Sequence, residues 1–424
     1  MTKHKIAIPL MIILVALGVR LALLCFDDGT IPVGGDSQAY LTIAESLREG
    51  NGFSLNGKEP TSTRMPLYPL FLAGILTSPG AGVRTIQILQ VFIDSLTCLL
   101  IYFLARLLLD KPQGALCGLL VALYIPMAFQ SLAVLTETLF TFFVVTSLLL
   151  LAINQSSTWF SGAAGFVIGI ATLVRPNGVA VAVFLLLWIW YRYGRQEAMR
   201  HLAAFLLLMI LVLAPWVVRN GIVFNRFIPT ASTTGITFYN SYFIPEKGLG
   251  YNEIKNEHNT YFSITNEADR SRYLTHVTAQ HIKHHPWRAL ELIPTKLGLL
   301  GYPFDMKWRR QNFPFRYNIF WGLIASLAVI AVISQTSYVR HRLSLVIFTL
   351  GAPLLTSIIF YGSPRMRTPF DPLIVPFAAV GAFWIWQRRQ RWVWIGSIVI
   401  LNTLIIFLGE SPHMGEFIKS LKPW

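Results

Sequence analysis

Charge is scarce in this chain. Only 13% of its 424 residues are Asp, Glu, Lys or Arg, against the roughly 25% usual in soluble domains, which excludes an ordinary water-soluble globule. Cysteine is rarer still: Cys25, Cys98 and Cys117 all fall in or at the ends of apolar runs. That leaves no material for an exported disulfide framework or a Cys-based zinc site. No stretch alternates polar and apolar residues as the strands of an outer-membrane barrel must. HExxH, GxSxG and phosphate-cradling Gly loops are missing too, so a nucleotide-sugar or ATP site has no support. Acidic residues number 20 against 35 basic ones, yet no soluble basic domain exists to hold nucleic acid.

What is present is apolar sequence, 54% of the chain, in runs long enough to cross a bilayer as helices. Eleven spans are expected: 6–26, 84–109, 115–133, 138–153, 160–174, 178–191, 202–218, 317–334, 343–361, 370–386 and 392–408. The stretch 66–76 is too short to span and belongs at the interface. The first span lacks a small-residue cleavage site and reads as an anchor, not a removed signal peptide. Clusters of Lys and Arg fix the orientation. Lys3 and Lys5, Arg106 and Lys111, Arg192, Arg195 and Arg200, Arg340 and Arg342, and Arg388, Arg389 and Arg391 all become cytoplasmic if the N-terminus is inside. The expectation is an all-α polytopic protein of the cell inner membrane, its N-terminus cytoplasmic.

Two blocks emerge. Residues 1–219 carry seven spans and a first exported loop at 27–83; residues 220–316 form a second exported segment, and 317–424 the C-terminal spans. No internal repeat of the transporter kind and no Gly/Ser-rich linker separates them. In the second segment, 264–285 reads as a helix with Tyr273, Leu274, Val277 and Ile282 as its apolar positions, stopped by Pro286. A second amphipathic helix follows at 287–301, anchored by Trp287.

This topology brings Asp36, Arg64, Glu137, Arg175, Arg219, Arg365 and Arg367 to one membrane face, and ionisable residues at membrane depth are functional candidates. Asp36 is open to two roles: a general base for an acceptor hydroxyl, or the N-cap of a helix over 37–49 that Gly50 ends. Arg64 is either a phosphate ligand or a snorkelling anchor. Arg365 and Arg367, in Gly-Ser-Pro-Arg-Met-Arg-Thr-Pro, stand between prolines and suit phosphate. Glu137 follows Thr136, so capping and helix-dipole effects can account for it. Arg175 can close a tight turn, and Arg219 can anchor the interface beside Trp216. His276, His281, His284 and His285 lack a nearby acid for a zinc site. No metal ligand set and no cofactor are assigned.

The order Asp36-x-x-x-Tyr40, Ala44, Leu47 and Gly50, followed by Arg64-x-Pro66-Leu-Tyr68-Pro-Leu-Phe-Leu-Ala, resembles the membrane GT-C glycosyltransferases. The branch it looks like holds the bacterial relatives of protein O-mannosyltransferases and the lipid A aminoarabinose transferase. Thr136-Glu137-Thr-Leu-Phe, Leu173-Val-Arg-Pro-Asn-Gly178 and His285-Pro-Trp287 are also similar to this group. The likeness covers the first seven spans, and the C-terminal half does not align.

The resemblance implies a GT-C-like fold and an inverting transfer of sugar from a polyprenyl-phosphate donor. The acceptor is a lipid, a glycan or a protein, and the active site lies on the exported face. Asp36 matches the family's catalytic acid in the first exported loop, and Glu137 an acidic position that assists acceptor binding. Arg64 matches the cation for the donor phosphate. Tyr40 and Tyr68, inside the quoted motifs, join Arg64, Arg175 and Arg219 in the substrate-binding set, to which Arg365 and Arg367 are added as physical inferences and not from the resemblance. Two alternatives stay open: a ligase or polymerase using a diphosphate-linked donor, and a transporter or flippase of an anionic lipid. A transporter predicts charges deep within spans, of which Asp94 is the clearest case.

Overall fold

The computed structural model describes residues 3–26, 35–243, 254, 258–303 and 318–410. The start of the first expected outer loop (27–34), most of 244–257, residues 304–317 (with the first residue of the eighth expected span) and the chain beyond 410 lie outside that range.

The described residues fold into helices: α1 (Lys3–Phe26), α2 (Asp36–Arg48), α3 (Leu67–Leu76), α4 (Val83–Leu108), α5 (Lys111–Ala122), α6 (Ile125–Leu132), α7 (Glu137–Ile153), α8 (Thr158–Val174), α9 (Gly178–Arg192) and α10 (Arg195–Phe224). Then come α11 (Thr234–Phe243), α12 (Thr260–Ser263), α13 (Glu267–His284), α14 (Pro286–Gly301), α15 (Ile319–Ser334), α16 (Thr336–Arg342), α17 (Ser344–Ile359), α18 (Pro364–Arg367), a 3-10 turn over Thr368–Leu373, α19 (Val375–Trp386) and α20 (Arg391–Glu410). No strand occurs among the described residues; one isolated bridge joins Ser54 and Pro60.

Each of the eleven apolar segments is helical in its described part, and the chain is a multi-pass membrane protein. Residues Ile6–Phe26, α4 and α10 are long and apolar enough to cross a membrane singly. The pairs α5/α6, α15/α16 and Pro364–Leu373/α19 reach that length together, bent by 45°, 105° and 57°. Pro126 marks the first break, since it cannot donate the backbone bond that would continue α5. The remaining expected spans, at α7, α8, α9, α17 and α20, are shorter apolar helices, as is α3.

Close helix packing rests on missing side chains. A Cβ on Gly165 of α8 would lie 2.1 Å from the Phe205 carbonyl oxygen of α10, so these backbones touch where a small residue permits it. One main apolar core runs through the bundle, with Phe140, Leu148, Ile168, Leu185 and Trp188 almost fully buried, and smaller apolar clusters lie beside it.

The connections sort into two ends. At one, Tyr338 donates to Gln113 at 2.9 Å, Arg192 to Gln155 at 2.9 Å and Trp188 to Ser344 at 3.2 Å. The other end collects α2, the starts of α7 and α9 and the turn before α18. That is where the candidate residues meet.

Candidate active site

The site is assembled by helix ends. Gly35, with φ of 56°, turns the chain into α2 and puts Asp36 in its first turn. The expected N-cap role is therefore corrected: the cap is Gly35, and the Asp36 carboxylate makes no capping bond. Instead Arg64 Nη2 donates to Asp36 Oδ1 at 2.7 Å, and Arg365 Nη1 to Oδ2 at 2.7 Å.

Glu137 begins α7, and Thr136 does not cap it with its side chain. The turn before it is tied down from α4. Gln90 Nε2 donates to the Ser131 and Ala133 carbonyls at 3.0 and 2.7 Å, and Gln87 Nε2 to the Leu132 carbonyl at 3.0 Å. Glu137 itself is only 1% exposed. Its Oε1 accepts from Arg365 Nε at 2.7 Å and lies 2.8 Å from Arg175 Nη1. The capping account of Glu137 gives way to a buried ion pair, which is unstable unless partnered this well.

Arg365 is thus the centre, with Nε on Glu137 and Nη1 on Asp36. Its loop has a fixed course: Ser363 Oγ accepts the Arg365 amide at 3.1 Å. Any Cβ on Gly362 would fall 1.6 Å from the Lys296 carbonyl oxygen of α14. Tyr361 stands within electrostatic reach of Arg175, Arg365, Asp36 and Glu137. Two carboxylates face three guanidiniums, leaving one net positive charge in a cluster closed at Glu137 and open at Asp36, whose side chain is 36% exposed. Arg64 keeps a buried Nε–H with no hydrogen-bond partner. Burial works to raise the Asp36 carboxyl, but Arg365 and Arg64 outweigh it and hold it below its ordinary value.

The other expected substrate residues make no ion pair with the two carboxylates of the cluster, and their surroundings are as follows. Tyr68 lies on the buried face of α3 with Leu72; it is 0% exposed and its hydroxyl donates to Gln90 at 2.9 Å. Tyr40 packs edge-on against Tyr68, and Arg64 sits 5.7 Å over its ring, so it supports that arginine from below. Arg367 points away from Arg365. Its Nε is 2.8 Å from Asp371, Nη1 donates to the Leu300 and Tyr302 carbonyls, and the guanidinium lies 3.6 Å over Trp321. Through Nε and Nη1 it holds the loop. Arg219 donates to the Thr61 carbonyl at 2.8 Å and lies between Phe53, Trp216 and Phe224.

Three features escaped the sequence reading. Arg20 in α1 is fully buried and pairs with Asp94 at 2.5 Å, while also donating to the Ala16 and Ala122 carbonyls. Ala122 ends α5, so the pair fastens α1 and α4 to the break before α6. Lys296 turns inward between Leu292 and Leu300, each one helical turn from it on α14. Its Nζ donates to the Ile358 carbonyl and lies 3.9 Å over Tyr242, and burial pulls its ammonium down to about 8. Glu267, at the start of α13, binds the loop before Arg64. Among the described residues no group of three or more metal-capable side chains forms, the histidines of α13 included.

Residues 59–218 match the model of the dolichyl-phosphate-mannose-protein mannosyltransferase family. Structures of the oligosaccharyltransferase of Archaeoglobus fulgidus share the fold. The apo form superposes at a TM-score of 0.55 with 13% identity, over 94% of this chain and 54% of that one. The form with a tethered acceptor peptide gives 0.54 and 13%, over 98% and 51%. The complex with an inhibitory peptide and a dolichol-phosphate gives 0.53 and 14%, over 94% and 54%. The chain spans about half the length of these proteins. No curated protein matches it by sequence.

Proposed function

We propose that this chain, whose fold is that of the GT-C membrane glycosyltransferases, transfers a sugar from a polyprenyl-phosphate-linked donor to an acceptor on the exported face. The observation that carries the reading is the Asp36 carboxylate held between Arg64 and Arg365, at the open edge of a cluster with one positive charge in excess. The family match over residues 59–218 supports the donor class, as does the dolichol-phosphate held by an oligosaccharyltransferase of the same fold.

Arg64 and Arg365 are the phosphate ligands in this reading. As the sugar leaves, charge grows on the phosphate oxygen, and preset guanidiniums stabilise it without reorganising. The acceptor oxygen bonds to the anomeric carbon from the opposite side, and the carbon–phosphate oxygen bond breaks with its electron pair going to phosphate. The acceptor's proton passes to Asp36. A carboxylate gripped by two arginines is a weak base, so phosphate taking one or both arginines strengthens it; donor binding then precedes proton transfer. Glu137 keeps Arg365 and Arg175 oriented and does not itself meet substrate.

The buried Arg20–Asp94 pair gives a transporter little support. Its charges are matched to each other and to backbone carbonyls, which is how a structural staple is built. The test is glycan mass spectrometry of a strain lacking the protein against its parent. Loss of one sugar from an envelope glycan or glycoprotein is expected. Unchanged glycans with a changed lipid distribution across the membrane would replace transfer by transport.

A further inference from the structure

The loop that carries Arg64 is gripped by a carboxylate from the far side of the chain. Glu267 Oε1 accepts from the Ser62 amide, from Ser62 Oγ at 2.5 Å and from Ser232 Oγ at 3.2 Å, and its Oε2 accepts from Thr61 Oγ1 at 3.0 Å. Ser62 is 0% exposed and Thr61 4%, so water does not substitute for these bonds. The loop's carbonyls are also taken. Thr61 O accepts from Arg219, Ser62 O from the Ser232 amide at 2.9 Å, and Thr63 O from Thr233 Oγ1 at 3.0 Å. The next residue is Arg64, whose guanidinium reaches Asp36.

We infer that Glu267 is a positioning residue for the donor phosphate, setting Arg64 by gripping Thr61 and Ser62. A carboxylate is suited to this because one side chain accepts from four donors, and charge-assisted bonds are about twice as strong as neutral ones. The consequence reaches past the grip itself. Glu267 opens α13, with Asn266 as its cap, so any partner that moves α13 moves Arg64. The outer segment is thereby coupled to the donor site without touching the donor.

This inference rests on the proposed donor, and its test separates the two. Glu267→Gln keeps size, retains one acceptor and loses the charge. Hydrogen exchange of the purified protein in detergent reads the loop directly, with no substrate present. Faster exchange across 53–66 with α7 and α8 unchanged is expected, and wild-type protection in that peptide would overturn the inference whatever the protein binds. Titration with polyprenyl phosphate then reads the coupling. Glu267→Gln should raise the Kd for polyprenyl phosphate about tenfold and, with polyprenyl-phospho-sugar as donor, raise KM with kcat changed far less, while in an Arg64→Ala background it should add almost nothing. Additive losses in the double variant would mean that Glu267 acts elsewhere than through Arg64. No binding by the wild type would count against the donor and leave the exchange result standing.

Discussion

Arg365 and Asp36 stand 329 positions apart in the chain, yet Arg365 Nη1 lies 2.7 Å from the Asp36 carboxylate. The contact joins the last third of the chain to the start of α2, and the same guanidinium continues to Glu137 on α7. Lysine has one charged nitrogen and cannot reproduce this planar bridge. Arg365→Lys is expected to reduce transfer about 100-fold, as loss of a phosphate-stabilising donor does, with the protein still expressed. Assay of sugar transfer in membranes checks it; near-wild-type transfer would demote the bridge.

Asp36→Asn preserves shape at the start of α2, and because Gly35 is the cap, no capping bond is lost. Folding should persist while transfer to a hydroxyl acceptor falls about 100-fold or more. Thermal unfolding and transfer, measured together, separate base from scaffold.

The pH dependence has a definite sign. The folded Asp36 carboxyl lies below its ordinary value of 3.8, so the ion pair stabilises the site above that pH and is lost as pH falls through the depressed value. Free protein should keep the cluster intact to below pH 3.8. Arg64→Ala should move the acid limb of kcat/KM upward, because one of the two charges that lower Asp36 is gone. An unmoved limb would separate the titration from Asp36.

Arg367 should behave unlike Arg365. Its removal takes from buried Asp371 the guanidinium that pairs with it at 2.8 Å, and breaking a buried pair costs about 3–5 kcal/mol. Arg367→Met is expected to lower the unfolding temperature and expression while the folded fraction keeps its donor KM. A raised KM at unchanged stability would return Arg367 to the donor site.

Much of the fold was legible because membrane-crossing helices announce themselves in one dimension. In their described parts the eleven apolar segments are helical, and that Asp36, Glu137, Arg175 and Arg365 belong together was expected from charge placement alone. The distinction between Arg365 and Arg367 was not legible. Two residues apart on a short helical turn they point in different directions, and Asp371, one turn on from Arg367, was the available signal. Tyr68 was hidden for a related reason: its role depends on Gln90, a neutral residue inside an apolar span. Arg20 could have been paired with Asp94, since a charge within one span calls for a partner in another. Glu267 had no local signal, as Thr61 and Ser62, which it grips, lie about two hundred positions away.

The central claim is tested most directly with purified protein, a synthetic polyprenyl-phospho-sugar and an acceptor fraction from the deletion strain. The account predicts that free polyprenyl phosphate appears in step with glycosylated acceptor, that the anomeric configuration inverts, and that both products vanish in Asp36→Asn. Release of polyprenyl diphosphate, retention of configuration, or full turnover in Asp36→Asn would contradict it.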